Sequence, residues 1–137
     1  MEGMQGFMRR HAHELDRERT DFLCLECLGG PYLTLVEAEG MLRMRYYTNE
    51  LREALADAAR RAGIEIKRGL RTVAATDALI PLRRGYRAAT LASVDDTKFP
   101  ANYHWPSDHP DNLVWETIEE AIAVTAELAR GLATERL

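Results

Sequence analysis

One short apolar run decides the fold of this chain: Phe22-Leu23-Cys24-Leu25-Glu26-Cys27-Leu28, closed by Gly29-Gly30-Pro31. An apolar run of this length, bounded by glycine and proline, predicts a buried strand. The next residues, 32–36, form a second short apolar run and predict a second strand. Strands buried on both faces are typical of a sheet that is covered by helices on both sides.

Helical patterns surround these strands. Apolar residues at helical spacing, a cap at Thr48 or Asn49 and a stop at Gly63 mark the helices. The predicted helices cover about residues 4–14, 49–62, 77–84 and 115–132, and the predicted strands cover 22–28, 32–36, 64–67 and 86–93. This alternating order predicts an α/β fold, a three-layer α/β/α sandwich with a mostly parallel or mixed sheet, formed by residues 1–137 as a single domain.

Composition excludes several classes of protein. The length of 137 residues suits one domain, and a net charge of -4 argues against a general nucleic-acid binder. No apolar run is long enough for a transmembrane helix, and residues 1–10 contain no signal-peptide core. Two cysteines are too few for a disulfide scaffold and fit a reducing compartment. The sequence therefore predicts a cytoplasmic protein without nucleic-acid or membrane partners.

Tyr103 and His104 lie in a polar loop over residues 95–111. Loops of this length without structure of their own are often functional. A histidine flanked by Tyr103, Trp105 and Pro106 is held semi-rigidly, which suits a metal ligand. The same pattern also fits an ordinary surface histidine packed by Trp105, and the loop alone leaves both interpretations open.

Two carboxylates are further candidates. Glu26 lies in an apolar strand, where a buried carboxylate must be paired, hydrogen-bonded or bound to a metal. Without further context, we favour the alternative interpretation that Glu26 marks the end of the strand and points to water. Asp77, after Thr76, fits a helix cap, and the alternative is a carboxylate beside a substrate site.

Cys24 and Cys27 form a Cys-x-x-Cys pair within the first predicted strand. Alternation along a strand predicts that the two thiols point to opposite faces, and the chain has no second pair. We therefore interpret both as small core residues rather than as a redox or zinc pair.

Four segments, taken in order, resemble the C-terminal half of metallopeptidase family twenty-eight, the two-zinc aminopeptidases and their relatives, including carboxypeptidase-type members. They are Leu25-Glu26-Cys27-Leu28-Gly29, Thr76-Asp77 with Gly85-Tyr86-Arg87-Ala88, Asn102-Tyr103-His104-Trp105-Pro106-Ser107-Asp108, and Asp111-Asn112-Leu113. The resemblance implies peptide hydrolysis near a chain end by a pair of zinc ions, which activate water and polarise the scissile carbonyl. It implies His104 and Glu26 as metal ligands, Tyr103 as the group that stabilises the oxyanion, and Asp77 close to the substrate.

The resemblance also implies an incomplete site. The family has aspartate where Glu26 stands, and its other zinc ligands and its general base lie upstream of the region that this chain resembles. Glu26 and His104 alone do not form a three-ligand zinc site. The prediction is the C-terminal portion of a zinc-dependent exopeptidase that is inactive as an isolated chain and self-associates through open sheet edges. The alternatives are a non-catalytic interaction module with the peptidase-like fold, favoured by Glu26 in place of aspartate, and an unrelated small α/β enzyme that uses the two cysteines.

Overall fold

A computed structural model describes residues 1–134. The helices are α1 Glu2–His11, α2 Asn49–Ala62, α3 Leu79–Arg83 and α4 Trp115–Thr134, with a 3-10 turn at Pro110–Asn112. The strands are β1 Asp21–Glu26, β2 Tyr32–Glu39, β3 Arg45–Tyr46, β4 Lys67–Thr72 and β5 Arg87–Val94. This order confirms the predicted alternation and adds the short strand β3.

The five strands form one mixed sheet around β2. Strand β2 is antiparallel to β5 and β3 and parallel to β4, and β1 lies parallel to β5 at one end of the sheet. Because β1 and β5 run in the same direction, both end on the side of the sheet where the antiparallel strand β2 begins. The turn after β1 and the long loop after β5 therefore meet on this side.

Helices cover both faces of the sheet, which confirms the predicted α/β class. One face packs against α2 and α4 through an aliphatic core that includes Leu35, Leu55 and Leu91. On the other face α3 and α1 pack through clusters that include Tyr86 and Met8. Among residues 1–134, no helix has both the length and the apolar character needed to cross a membrane.

The predicted strand at 64–67 is wrong. The fourth strand in the chain begins at Lys67, and Ile64 and Ile66 instead pack against the core between α2 and α4. Strand β4 is polar and mostly exposed, and it joins the sheet through its backbone alongside β2. Apolar periodicity detects burial, so it located the two isoleucines and not the polar strand that follows them.

The stop of α2 at Gly63 is confirmed, since Gly63 has a left-handed φ of 70°. Thr48 occupies the N-cap position without a side-chain capping bond. Its hydroxyl accepts a hydrogen bond from the Ala88 N–H at 3.1 Å, which ties the start of α2 to β5.

A register irregularity in β2 determines where its two glutamates point. The pairing of β2 with β4 shifts between Val36 and Ala38. Residues two apart on a regular strand share a face, and an extra residue changes this. Glu37 reaches Arg52 on α2, whereas Glu39 reaches Thr76 before α3, on the opposite face.

Candidate functional site

The turn after β1 is held by a single buried hydroxyl. Ser93 Oγ accepts a hydrogen bond from the Gly30 N–H at 2.7 Å and donates one to the Cys27 carbonyl at 2.7 Å. Farther along the turn, the Gly29 carbonyl accepts a bond from the Val114 N–H at 2.9 Å. The position of the turn is thus fixed by β5 and by the residue before α4.

Glu26, the last residue of β1, is contacted by both cysteines. Cys27 Sγ donates to Glu26 Oε1 at 3.2 Å, and Cys24 Sγ donates to Oε2 at 3.8 Å. The prediction that the two thiols face opposite sides is wrong, because Cys27 has a left-handed φ of 48° and leaves the strand alternation. Strand periodicity does not continue through such a residue.

Both thiols favour the protonated state. Burial, followed by the hydrogen bond to Glu26 and its charge, raises the pKa of Cys27 to about 12. Burial and the charge of Glu26 also raise the pKa of Cys24. Thiols in this state are weak nucleophiles and serve as donors to the carboxylate. This arrangement disfavours an enzyme that uses the cysteine pair for redox chemistry.

Tyr103 lies on the same side of the sheet, where β1 and β5 end. Its ring contacts Phe99 edge-on, at 5.9 Å between centroids, and stacks on the His104 ring at 3.8 Å. His104 is exposed and has a left-handed φ of 59°. Tyr103 is therefore the residue that packs on the His104 ring. Trp105, which the sequence offered for this role, is 69% exposed.

Glu26 and Tyr103 line one cleft of about 120 Å³. Thr76 and Thr90 also line it, together with apolar side chains of the sheet and of the loop after β5. The structure thus brings together two of the residues that sequence reasoning selected. His104 lies beside this cleft through its stacking on Tyr103 and is not part of the cleft lining.

Asp77 points away from this group. Its carboxylate lies 3.0 Å from the Met1 ammonium, next to α1. The preceding residue, Thr76, is the one that lines the cleft, and its hydroxyl accepts a bond from the Ala78 N–H at 3.3 Å. The Asp77 side chain makes no capping bond to α3.

Sequence reasoning missed a buried polar network below the cleft. Glu39 is fully buried, and its Oε1 accepts bonds from the Thr76 N–H at 3.1 Å and from the Thr76 hydroxyl at 3.3 Å. The hydroxyls of Thr76, Thr90 and Tyr47 lie 2.8–3.2 Å from one another. Glu39 Oε2 has no hydrogen-bond partner among residues 1–134. The sequence signal was weak: a glutamate next to Gly40, just after the second predicted strand.

This network gives the fold a specific pH dependence. Burial raises the pKa of the Glu39 carboxyl above 4.5, and hydrogen bonds from Tyr47 and Thr76 offset part of the rise. A carboxyl whose pKa is higher in the folded state contributes stability below its unfolded pKa. That contribution is lost as the pH rises through the folded pKa.

We therefore expect Glu39→Gln to flatten the decline of stability above pH 4.5, by about 1.4 kcal/mol for each unit by which folding raises the pKa. Urea unfolding at a series of pH values measures the difference from wild type. Glu65→Gln is the control, since the Glu65 side chain is 87% exposed. Identical pH profiles for wild type and Glu39→Gln would contradict the assignment.

The described donors do not fit a catalytic zinc site. Among residues 1–134, no group of three or more His, Cys, Asp and Glu side chains is arranged to hold a metal ion. Both oxygens of Glu26 face thiols, and His104 is stacked on Tyr103. Catalytic zinc takes three protein ligands and an open position, so this chain presents at most part of such a set.

Comparison with known protein families places this chain beside one family of peptidases. The model of peptidase family M28 matches residues 21–129, which is more than half of the chain. The matched span runs from the start of β1 into α4 and contains all four predicted site residues. No curated protein matches the chain.

Proposed function

The chain belongs to peptidase family M28, and from this premise we propose that it forms the C-terminal part of a zinc-dependent exopeptidase domain, which hydrolyses peptides near a chain end. The observation that supports this most is the cleft shared by Glu26 and Tyr103. It lies where β1 and β5 end, and binding sites of open α/β sheets lie outside the carboxyl ends of strands.

In this proposal the predicted site residues have separate roles. His104 and Glu26 are ligands in the two-zinc site of the complete domain, and Tyr103 contacts the carbonyl that is cleaved. Asp77 has no role in this proposal, because its carboxylate pairs with the Met1 ammonium. The remaining ligands and the general base come from outside the matched segment. The two protonated thiols keep the Glu26 carboxylate oriented until that site is complete.

The isolated chain is expected to be catalytically silent. A leucine- or arginine-anilide assay with added zinc or cobalt should give no turnover above the blank. In this proposal the general base comes from outside the matched segment, and general acid–base catalysis alone contributes about 10²–10⁴-fold to the rate. Metal-dependent turnover by residues 1–137 would overturn the proposed incompleteness. In a longer protein that supplies the missing ligands, His104→Ala should abolish activity. His109→Ala, a histidine on the same loop, should retain it.

A second candidate is a non-catalytic interaction module with the peptidase-like fold. The observation in its favour is that both oxygens of Glu26 face thiols of the chain itself. The coding sequence upstream of Met1 distinguishes the two. A frame that carries a histidine, an aspartate and paired glutamates in order supports the enzyme, and a frame without them supports the module.

We propose further that peptides are the partners of the complete domain and that the isolated chain self-associates through β1. Within the described part of the chain, residues 1–134, this strand pairs with β5 on one side only, and Leu25 is 44% exposed. Unpaired strand edges are templates for pairing with another chain. A cytoplasmic location is proposed because both cysteines are free thiols.

A further inference from the structure

A second cavity, of about 280 Å³, adjoins the cleft of the candidate site. Three residues line both: Leu70 on β4, Val94 at the end of β5, and Lys98 in the loop that follows. The two spaces are therefore neighbours, and we refer to them together as the groove. It runs from Glu26 and Tyr103 at one end to Tyr32 and Lys67 at the other.

The far end of this groove is lined by more cationic than anionic side chains. The chain has only two lysines, Lys67 and Lys98, and both line the second cavity. With Arg68 they set three cationic side chains against Asp95 and Asp96 in this cavity, whereas the whole chain has a net charge of -4.

The acidic residues of the same cavity are already engaged. Asp95 accepts bonds from the Thr97 hydroxyl at 2.6 Å and the Thr97 N–H at 2.8 Å, and the Thr97 hydroxyl, as the largest cause, lowers its pKa. Interaction with Asp96 raises the pKa of the Tyr32 hydroxyl.

The cationic side chains of the cavity differ in whether they are already paired with a carboxylate of the chain. Arg68 is bound to Glu37 and Glu53, at 2.8 and 2.7 Å. Lys67 lies 3.7 Å from Glu65 and over the ring of Tyr32. Among residues 1–134, Lys98 has no ion pair, and it stands at the junction of the two cavities.

We propose that Lys98, supported by Lys67, binds a carboxylate of the peptide whose reacting end lies in the cleft at Glu26. This assigns Lys98 as a specificity-determining residue that selects peptides carrying a carboxylate beyond the reacting end. The inference rests on the proposed function for the location of the peptide. The carboxylate comes from an acidic side chain or from the peptide's own C-terminus, and both offer the same group to an ammonium.

The test is equilibrium binding, so it does not depend on turnover. Leucyl-glycyl-glutamate and leucyl-glycyl-glutamine, each with a free or an amidated C-terminus, are titrated into the isotopically labelled chain and followed by NMR. Removing the carboxylate that Lys98 binds should weaken binding roughly two- to fivefold, the scale of an ion pair at an exposed ammonium. Loss on changing glutamate to glutamine identifies the side chain, and loss on amidation identifies the C-terminus.

Lys98→Gln should remove this preference, and Lys98→Arg should keep it. Arg130→Gln, a change of equal charge on α4, is the matched control and should leave the preference intact. Equal affinity for charged and neutral peptides, or a preference that survives in Lys98→Gln, overturns the proposal. If neutral peptides still shift the signals of Phe99 and Tyr103, the peptide cleft stands without the lysine. No binding at millimolar peptide overturns the role of Lys98, and the anilide assay on a longer protein then decides the proposed function separately.

Discussion

Glu37→Ala is expected to lower the free energy of unfolding by about 3–5 kcal/mol. The Glu37 side chain is 12% exposed and pairs with Arg52, which is 15% exposed, and with Arg68 at 2.8 Å. Removing the carboxylate leaves the Arg52 guanidinium buried without its counter-charge, and its Nε already has no hydrogen-bond partner among residues 1–134. Urea unfolding followed by circular dichroism measures the loss.

Glu53 is a matched control, because it also pairs with Arg68. Glu53 bonds Arg68 at 2.7 Å, but its side chain is 50% exposed, so Glu53→Ala should cost less than about 1 kcal/mol. The double change Glu37→Leu with Arg52→Met removes both charges together and should recover most of the stability. Equal losses for Glu37→Ala and Glu53→Ala would show that burial does not set the strength of this cluster.

Ser93→Ala is expected to cost about 2–4 kcal/mol, since it leaves two buried backbone groups of the β1–β2 turn without partners. The turn positions Glu26, so the effect should extend to the candidate site. Denaturant unfolding gives the total. Amide hydrogen exchange at Gly30, whose N–H bonds to Ser93, reports the local opening.

Ser93→Cys separates hydrogen bonding from packing. It retains a side chain of similar size with a weak donor and acceptor, so it should fall between wild type and Ser93→Ala. If all three proteins had the same stability and the same Gly30 exchange rate, the hydroxyl would not be what holds the turn.

The fold was largely predictable because most elements carry a local signal. Apolar periodicity located α4, and the left-handed stop at Gly63 located the end of α2. Strand β4 was misplaced because its residues are polar and its stability comes from backbone pairing with β2. A pairing partner more than thirty residues away leaves no trace in local spacing.

The site was predictable only in part, for the same reason. Glu26 and Tyr103 were selected from sequence, and the structure places them along one cleft, while their chemical roles remain proposals. The contact of Cys27 with Glu26 depends on a left-handed backbone that no spacing indicates. The bonds of Ser93 to Gly30 and of Glu39 to Thr76 join residues that are 63 and 37 positions apart.

The parallel pairing of β1 with β5 has a consequence during biosynthesis. Asp21 pairs with Arg87, which is 66 positions later in the chain. At about 5–20 residues per second, a ribosome needs roughly 3–13 s to make the residues between them. Throughout that interval β1 lacks β5, its pairing partner among residues 1–134, and an apolar segment without its partner is the kind of segment that chaperones cover. That waiting strand is the one that ends in Glu26.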